Sequence, residues 1–195
     1  MITTYNLANE ITTAGSTYDL AGNLANDGMA ASTFDALNRM TTRGGTTYAY
    51  NGDGALISQL TAGVTTRFTQ DLVAPLSQVL QTFTGATRTD YLYGMGRLAT
   101  QTSPVRTWYV ADALGSVRRM VSEAGVPQGV ITYDPWGTVE SGSVPTFGFT
   151  GELQQGSDVY LRARWYNSAQ GRFVSRDPAA GAAETPYSLH PYLWR

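Results

Sequence analysis

The residues able to do chemistry are few and sit late in the chain. His190 is the only histidine, and there is no cysteine. Thiolate nucleophiles, thiolate metal sites and disulfides are therefore excluded. No His/Asp/Glu cluster has metal-ligand spacing, and no glycine-rich loop runs into Lys-Ser or Lys-Thr to cradle a phosphate. His190 lacks a serine nucleophile arranged around it and reads as a packing residue beside Pro191 and Tyr192. Arg162 and Arg164 alternate with Leu161, Ala163 and Trp165. On a strand that spacing sends both guanidinium groups to one face, where they meet a bound partner or, the reading favoured here, form a solvated or ion-paired surface. Arg176 and Asp177 read as an ion pair at a turn, with Pro178 ending the strand. Neither a cofactor nor a metal is expected.

The elements that position these residues follow from composition. Charged residues make up only 14% of the 195, and Thr, Gly and Tyr take their place. Thr and Tyr suit the half-buried, pleated surface of a strand. Gly supplies the positive φ values of tight turns. With 42% hydrophobic residues, the expectation is an ordered all-β protein. The net charge of −2 comes with no basic cluster, which disfavours nucleic-acid binding. The segment Met1-Ile2-Thr3-Thr4-Tyr5-Asn6 has no basic region and no apolar run, so no export signal is read in this chain. No window approaches the roughly 18 apolar residues of a membrane helix.

A loose repeat runs through the chain: an aromatic, Asp or Asn, a short spacer with Gly or Asn, then an apolar residue. It appears as Tyr18-Asp19-Leu20-Ala21-Gly22-Asn23-Leu24 and Phe34-Asp35-Ala36-Leu37-Asn38-Arg39-Met40. It recurs as Tyr50-Asn51-Gly52-Asp53-Gly54-Ala55-Leu56, Tyr93-Gly94-Met95-Gly96-Arg97-Leu98 and Tyr133-Asp134-Pro135-Trp136-Gly137-Thr138-Val139. Units this small cannot bury their own faces and must stack. Each reads as a strand pair with a tight turn. The Asp is expected to accept a backbone N–H two residues on and so set the turn. The aromatic is expected to stack on its counterpart in the next hairpin. Arg118–Ala124 reads as a strand ending at Gly125, and residues 179–186 as a small-residue linker.

Downstream of the repeats stand Tyr160-Leu161-Arg162-Ala163-Arg164-Trp165-Tyr166-Asn167 and Gly171-Arg172-Phe173-Val174-Ser175-Arg176-Asp177-Pro178. They are preceded by Tyr109-Val110-Ala111-Asp112-Ala113-Leu114-Gly115-Ser116-Val117 and Phe149-Thr150-Gly151-Glu152. In order and spacing these blocks resemble the RHS/YD-repeat proteins and their RHS repeat-associated core domain, over nearly the whole chain. The resemblance implies tandem β-hairpin YD repeats over residues 1–108, forming part of a spiralling β-sheet shell. It implies a core or plug segment over 109–195, truncated at its C-terminal end because the family's Asn-Asn-Pro segment and cleavage motif do not appear before Arg195. In the family such a shell encloses a C-terminal toxin or effector, which this chain lacks. Immunity and secretion-system proteins are further partners the resemblance suggests, and a secreted or cell-surface parent is expected.

Some members of that family are aspartyl autoproteases, and Arg176 and Asp177 match the Arg-Asp that serves there. Such chemistry needs two carboxylates sharing a proton. Glu184 and Asp158 are the candidates for the second. The main expectation is nevertheless a non-enzymatic wall, with the protease vestigial at most. The other alternative is a surface module binding carbohydrate or protein through its Tyr and Trp residues. Exposed strand edges are expected to make the isolated chain self-associate.

Overall fold

The computed structural model describes residues 3–13, 15–73 and 76–194. Met1, Ile2 and Arg195, named above at the two ends, lie outside the described residues. The fold is all-β, and among the described residues helix is confined to two short 3-10 turns at Phe149–Gly151 and Pro186–Leu189. A first hairpin pairs β1 (Ser16–Tyr18) with β2 (Leu24–Asp27). An antiparallel meander follows: β3 (Ser32–Phe34), β4 (Met40–Arg43), β5 (Thr46–Tyr50), β6 (Leu56–Thr61), β7 (Val64–Asp71), β8 (Gln78–Thr84), β9 (Thr87–Tyr93), β10 (Arg97–Thr102), β11 (Val105–Ala111), β12 (Val117–Ser122) and β13 (Pro127–Val130). Every strand of it lies beside its sequence neighbours. The hairpin of β14 (Thr132–Tyr133) and β15 (Val139–Ser141) then leads into a four-stranded sheet of β16 (Leu153–Gln155), β17 (Asp158–Tyr160), β18 (Trp165–Asn167) and β19 (Arg172–Phe173). The meander runs through residue 108 within β11.

Two kinds of turn alternate along the meander. At one end, two-residue turns such as Gly44-Gly45 and Ala62-Gly63 carry positive φ at both positions. That hand matches the twist of the strands it joins. At the other end, the repeat's acidic or amide residue builds a larger turn. Asp35 Oδ1 accepts the N–H of Leu37 at 2.9 Å and of Arg39 at 3.0 Å. Asp134 Oδ1 accepts those of Trp136 at 2.8 Å and Thr138 at 2.9 Å. The same pair of bonds forms at Asn6, Asp19, Asn51 and Asp112. The third residue after each adopts positive φ: Asn9, Gly22, Asn38, Gly54, Gly115 and Gly137. The turn expected from sequence is therefore present, with a second N–H captured four residues on. The copy at Tyr93-Gly94 has no acceptor side chain and closes on the backbone alone, Gly94 N–H to the Gly96 carbonyl at 2.9 Å.

One expectation is corrected. The repeat aromatics do not stack on one another. Each repeat is a strand pair, so equivalent rings sit two strands, roughly 9–10 Å, apart, beyond the 4.5–7 Å of a ring pair. They find partners instead in the layer that covers their face. Tyr18 meets Tyr192 at 6.1 Å, Tyr50 meets Tyr160 at 6.3 Å and Tyr133 meets Phe149 at 5.7 Å. The buried core joins Leu24, Met40, Tyr48, Leu56, Phe68 and Tyr91 of the repeats to Phe147, Leu153, Tyr160, Trp165 and Val174 of the C-terminal segment.

Candidate functional site

The largest organised feature is this contact between the aromatic face of the meander and the closing block. Trp165 is 2% exposed. Its ring lies 4.6 Å from Tyr48 and 5.1 Å from Tyr160, and its Nε1–H donates to the Tyr50 hydroxyl at 3.1 Å. The Tyr50 hydroxyl in turn donates to the Met40 carbonyl at 2.8 Å. Burial pushes the Tyr50 hydroxyl up to about 12, so it stays a donor. Tyr48 donates to Gln155 Oε1 at 2.7 Å. The Arg97 guanidinium lies 3.5 Å from the centre of the Phe147 ring and also bonds the Gly151 carbonyl.

Arg43 ties three segments together. It is 5% exposed. Its Nε bonds Asp158 at 2.6 Å, Nη2 bonds Asp27 at 2.6 Å and Nη1 bonds Ser32 at 3.0 Å. Burial raises the Asp27 carboxyl, but the Ala30 N–H and the Arg43 guanidinium outweigh it and hold Asp27 below the usual carboxylate range. The repeat residues Asp27 and Arg43 are thereby locked to β17. Both Arg43 and Asp27 look like ordinary turn-flanking residues in the sequence, and nothing local marks them as partners of Asp158.

The Arg176-Asp177 pair is not an ion pair. Asp177 Oδ2 instead meets Arg164 Nη2 at 2.8 Å, and its Oδ1 accepts the Ala179 N–H at 2.9 Å. Arg164 also donates to the Pro191 carbonyl at 3.3 Å and lies 3.8 Å above the Phe173 ring. The backbone N–H of Arg176 donates to Asn23 Oδ1 at 3.1 Å, fixing this segment to the first repeat. Neither candidate second carboxylate joins Asp177. Asp158 is held by Arg43 and Asn167, and Glu184 is exposed. The Nδ1 of His190 accepts the Tyr192 N–H at 3.2 Å, and its ring is edge-on to Tyr192, consistent with a packing role.

Arg162 and Arg164 do not share a strand face. The chain turns at Leu161–Arg164, with the Leu161 N–H bonded to the Arg164 carbonyl at 2.9 Å, and Arg162 takes φ +64°. The two guanidinium groups diverge to separate carboxylates, Glu152 at 2.8 Å and Asp177 at 2.8 Å. The ion-paired reading of these arginines stands, but the pleat that was to align them is absent. Glu152, Arg97 and Thr150, which surround Arg162 in a cleft of about 400 Å³, were not marked in the sequence. The hints were the Phe149-Thr150-Gly151-Glu152 block and the repeat copy that holds Arg97.

Residues 75–195 match the family model described as Teneurin YD-shell. No curated protein sequence matches the chain. Solved structures resemble it over nearly its whole length. The crystal structure of TcdB2-TccC3-Cdc42 is 15% identical with a TM-score of 0.70, covering 98% of this chain and 11% of that one. A variant of the Photorhabdus luminescens Tc holotoxin pore is 14% identical with a TM-score of 0.71, again covering 98% and 11%. At such identity the likeness is one of fold. The chain spans about a ninth of the length of those chains.

Proposed function

The chain belongs to the teneurin YD-shell family, within the RHS/YD-repeat proteins, and from that footing we propose that it is a wall segment whose larger protein encloses or presents a C-terminal effector. The observation that carries this reading is the closing block laid across the aromatic face of a continuous meander. A wall built this way needs no ligand to hold it, because Trp165, Arg43 and the repeat tyrosines fix the inner layer. Residues 1–108 serve in this proposal as repeats and 109–195 as the core segment. The larger protein acts outside the cell or at its surface, with a toxin as its cargo and immunity or secretion-system proteins as its other partners.

The test uses a polypeptide that carries this segment ahead of an effector. Limited proteolysis should leave the effector uncut while the wall is intact. It should expose the effector when Trp165→Ala loosens the inner layer. Equal digestion of the effector in both forms would remove the encapsulation reading.

The enzymatic alternative rests on Asp177 with Arg176 beside it. It calls for self-cleavage that Asp177→Asn abolishes, followed by intact-mass measurement over time. A mass that stays constant in the unaltered protein would retire it.

A further inference from the structure

Three adjoining hollows of about 400, 450 and 550 Å³ all have Arg162 in their walls. Together they make a trough along the end of the meander that carries the larger turns. Arg162 has one carboxylate partner, Glu152. Its remaining N–H groups have no hydrogen-bond acceptor among the described residues. Arg97 adds a second guanidinium to the floor, held by the Tyr93 hydroxyl at 2.9 Å. The floor thus sets two cations against one half-buried carboxylate. Burial raises the Glu152 carboxyl, against the opposing pull of Arg162 and Arg97. At the far end Arg39 and Asp53 line the hollow with one charge of each sign. The rim is apolar: Met95 is fully exposed, and Trp194 is 37% exposed.

Backbone strain coincides with this trough. Arg162 at φ +64° and Thr150 at φ +51° are both non-glycine residues in the left-handed region. Such conformations are strained and cluster at binding sites. Glycine would hold the turn at Arg162 without that strain, so the guanidinium is placed there at the expense of stability.

We propose that the trough centred on Arg162 binds an extended acidic peptide, seating an Asp or Glu carboxylate on the guanidinium and apolar neighbours against Met95 and Trp194. A guanidinium edge donates two parallel hydrogen bonds to a carboxylate. A trough built from adjoining hollows fits a chain better than a compact molecule. The site is independent of the enclosure reading and of Asp177.

Calorimetric titration of the whole chain tests it, using a seven-residue peptide with a central Asp flanked by Leu and the same peptide with Asn. The Asp peptide should bind about tenfold more tightly, the least expected of a charge-assisted bond. Arg162→Gly suits the positive φ and should fold, yet lose that preference. Glu152→Gln removes the competing carboxylate and should tighten binding, an effect a merely structural ion pair would not produce. Equal affinity for the two peptides, an unchanged Arg162→Gly, or weaker binding by Glu152→Gln would each overturn the proposal. Displacement of the peptide by acetate at equal concentration would reduce the site to one for simple anions and overturn the peptide assignment.

Discussion

The carboxylate or amide at the second position of most repeats, absent only from the Tyr93-Gly94 copy, is the smallest unit that determines the fold. Asp134 captures two backbone N–H groups, and each such bond contributes about 0.5–1.5 kcal/mol. Asp134→Ala is expected to lower stability by about 1–3 kcal/mol in chemical denaturation. Asn51 makes the same two bonds with an amide oxygen, so Asp134→Asn should keep the turn. The two variants separate by pH. Burial raises the Asp134 carboxyl, but the Thr138 and Trp136 N–H groups outweigh it and hold it below its ordinary value. A depressed folded value adds stability above the ordinary carboxylate range and loses it as pH falls through the folded value. Below about pH 4, Asp134→Asn should therefore lose less stability than the unaltered chain. Arg43 supplies a sharper residue-scale prediction. Arg43→Met leaves Asp27 and Asp158 without their buried cation, and should cost about 3–5 kcal/mol in thermal or denaturant unfolding. The turn acceptors were legible in the sequence because their action is local. The Arg43 triad was not, because 115 residues separate Arg43 from Asp158. Nor was the left-handed Arg162, since the alternation Leu-Arg-Ala-Arg-Trp fits a pleated strand as well as a turn.

At the scale of elements, the strand pairs of the meander were legible, because Thr-rich alternation and turn residues recur at short intervals. The layer that completes them was not. The sequence shows a row of aromatics on one face but not what covers it, and stacking within the row fails on strand spacing alone. The covering strands β16–β18 follow more than a hundred residues after the first repeats they meet. This sets up a contrast between two large side chains. Trp165→Ala removes a ring packed between Tyr48 and Tyr160 and leaves the Tyr50 hydroxyl without its donor. It should cost about 3–5 kcal/mol, a large share of an ordinary domain's stability of about 5–15 kcal/mol. Leu20 stands at the tip of a turn and is fully exposed. Leu20→Ala should change stability by less than about 0.5 kcal/mol. Melting curves for the two variants would check both values together.

Across the whole molecule, a continuous meander is lined on one face by the closing block and open on the other. Its edge strands are short, and β13 begins with Pro127, which blunts ladder pairing. Exposed apolar side chains at turn tips, among them Leu20, Leu37 and Leu114, present a second surface for association. Sedimentation velocity should accordingly show a coefficient that rises with protein concentration. A sharp monomer independent of concentration would contradict that expectation. Closing block and meander form one cooperative unit, and native-state hydrogen exchange on the whole chain separates this from two independent layers. The amides of β16–β18 should exchange at the same slow rate as those of β4–β6, and both should accelerate together in Trp165→Ala. Fast exchange across β16–β18 while β4–β6 remain protected would show that the inner layer is not part of the wall, and would contradict the account.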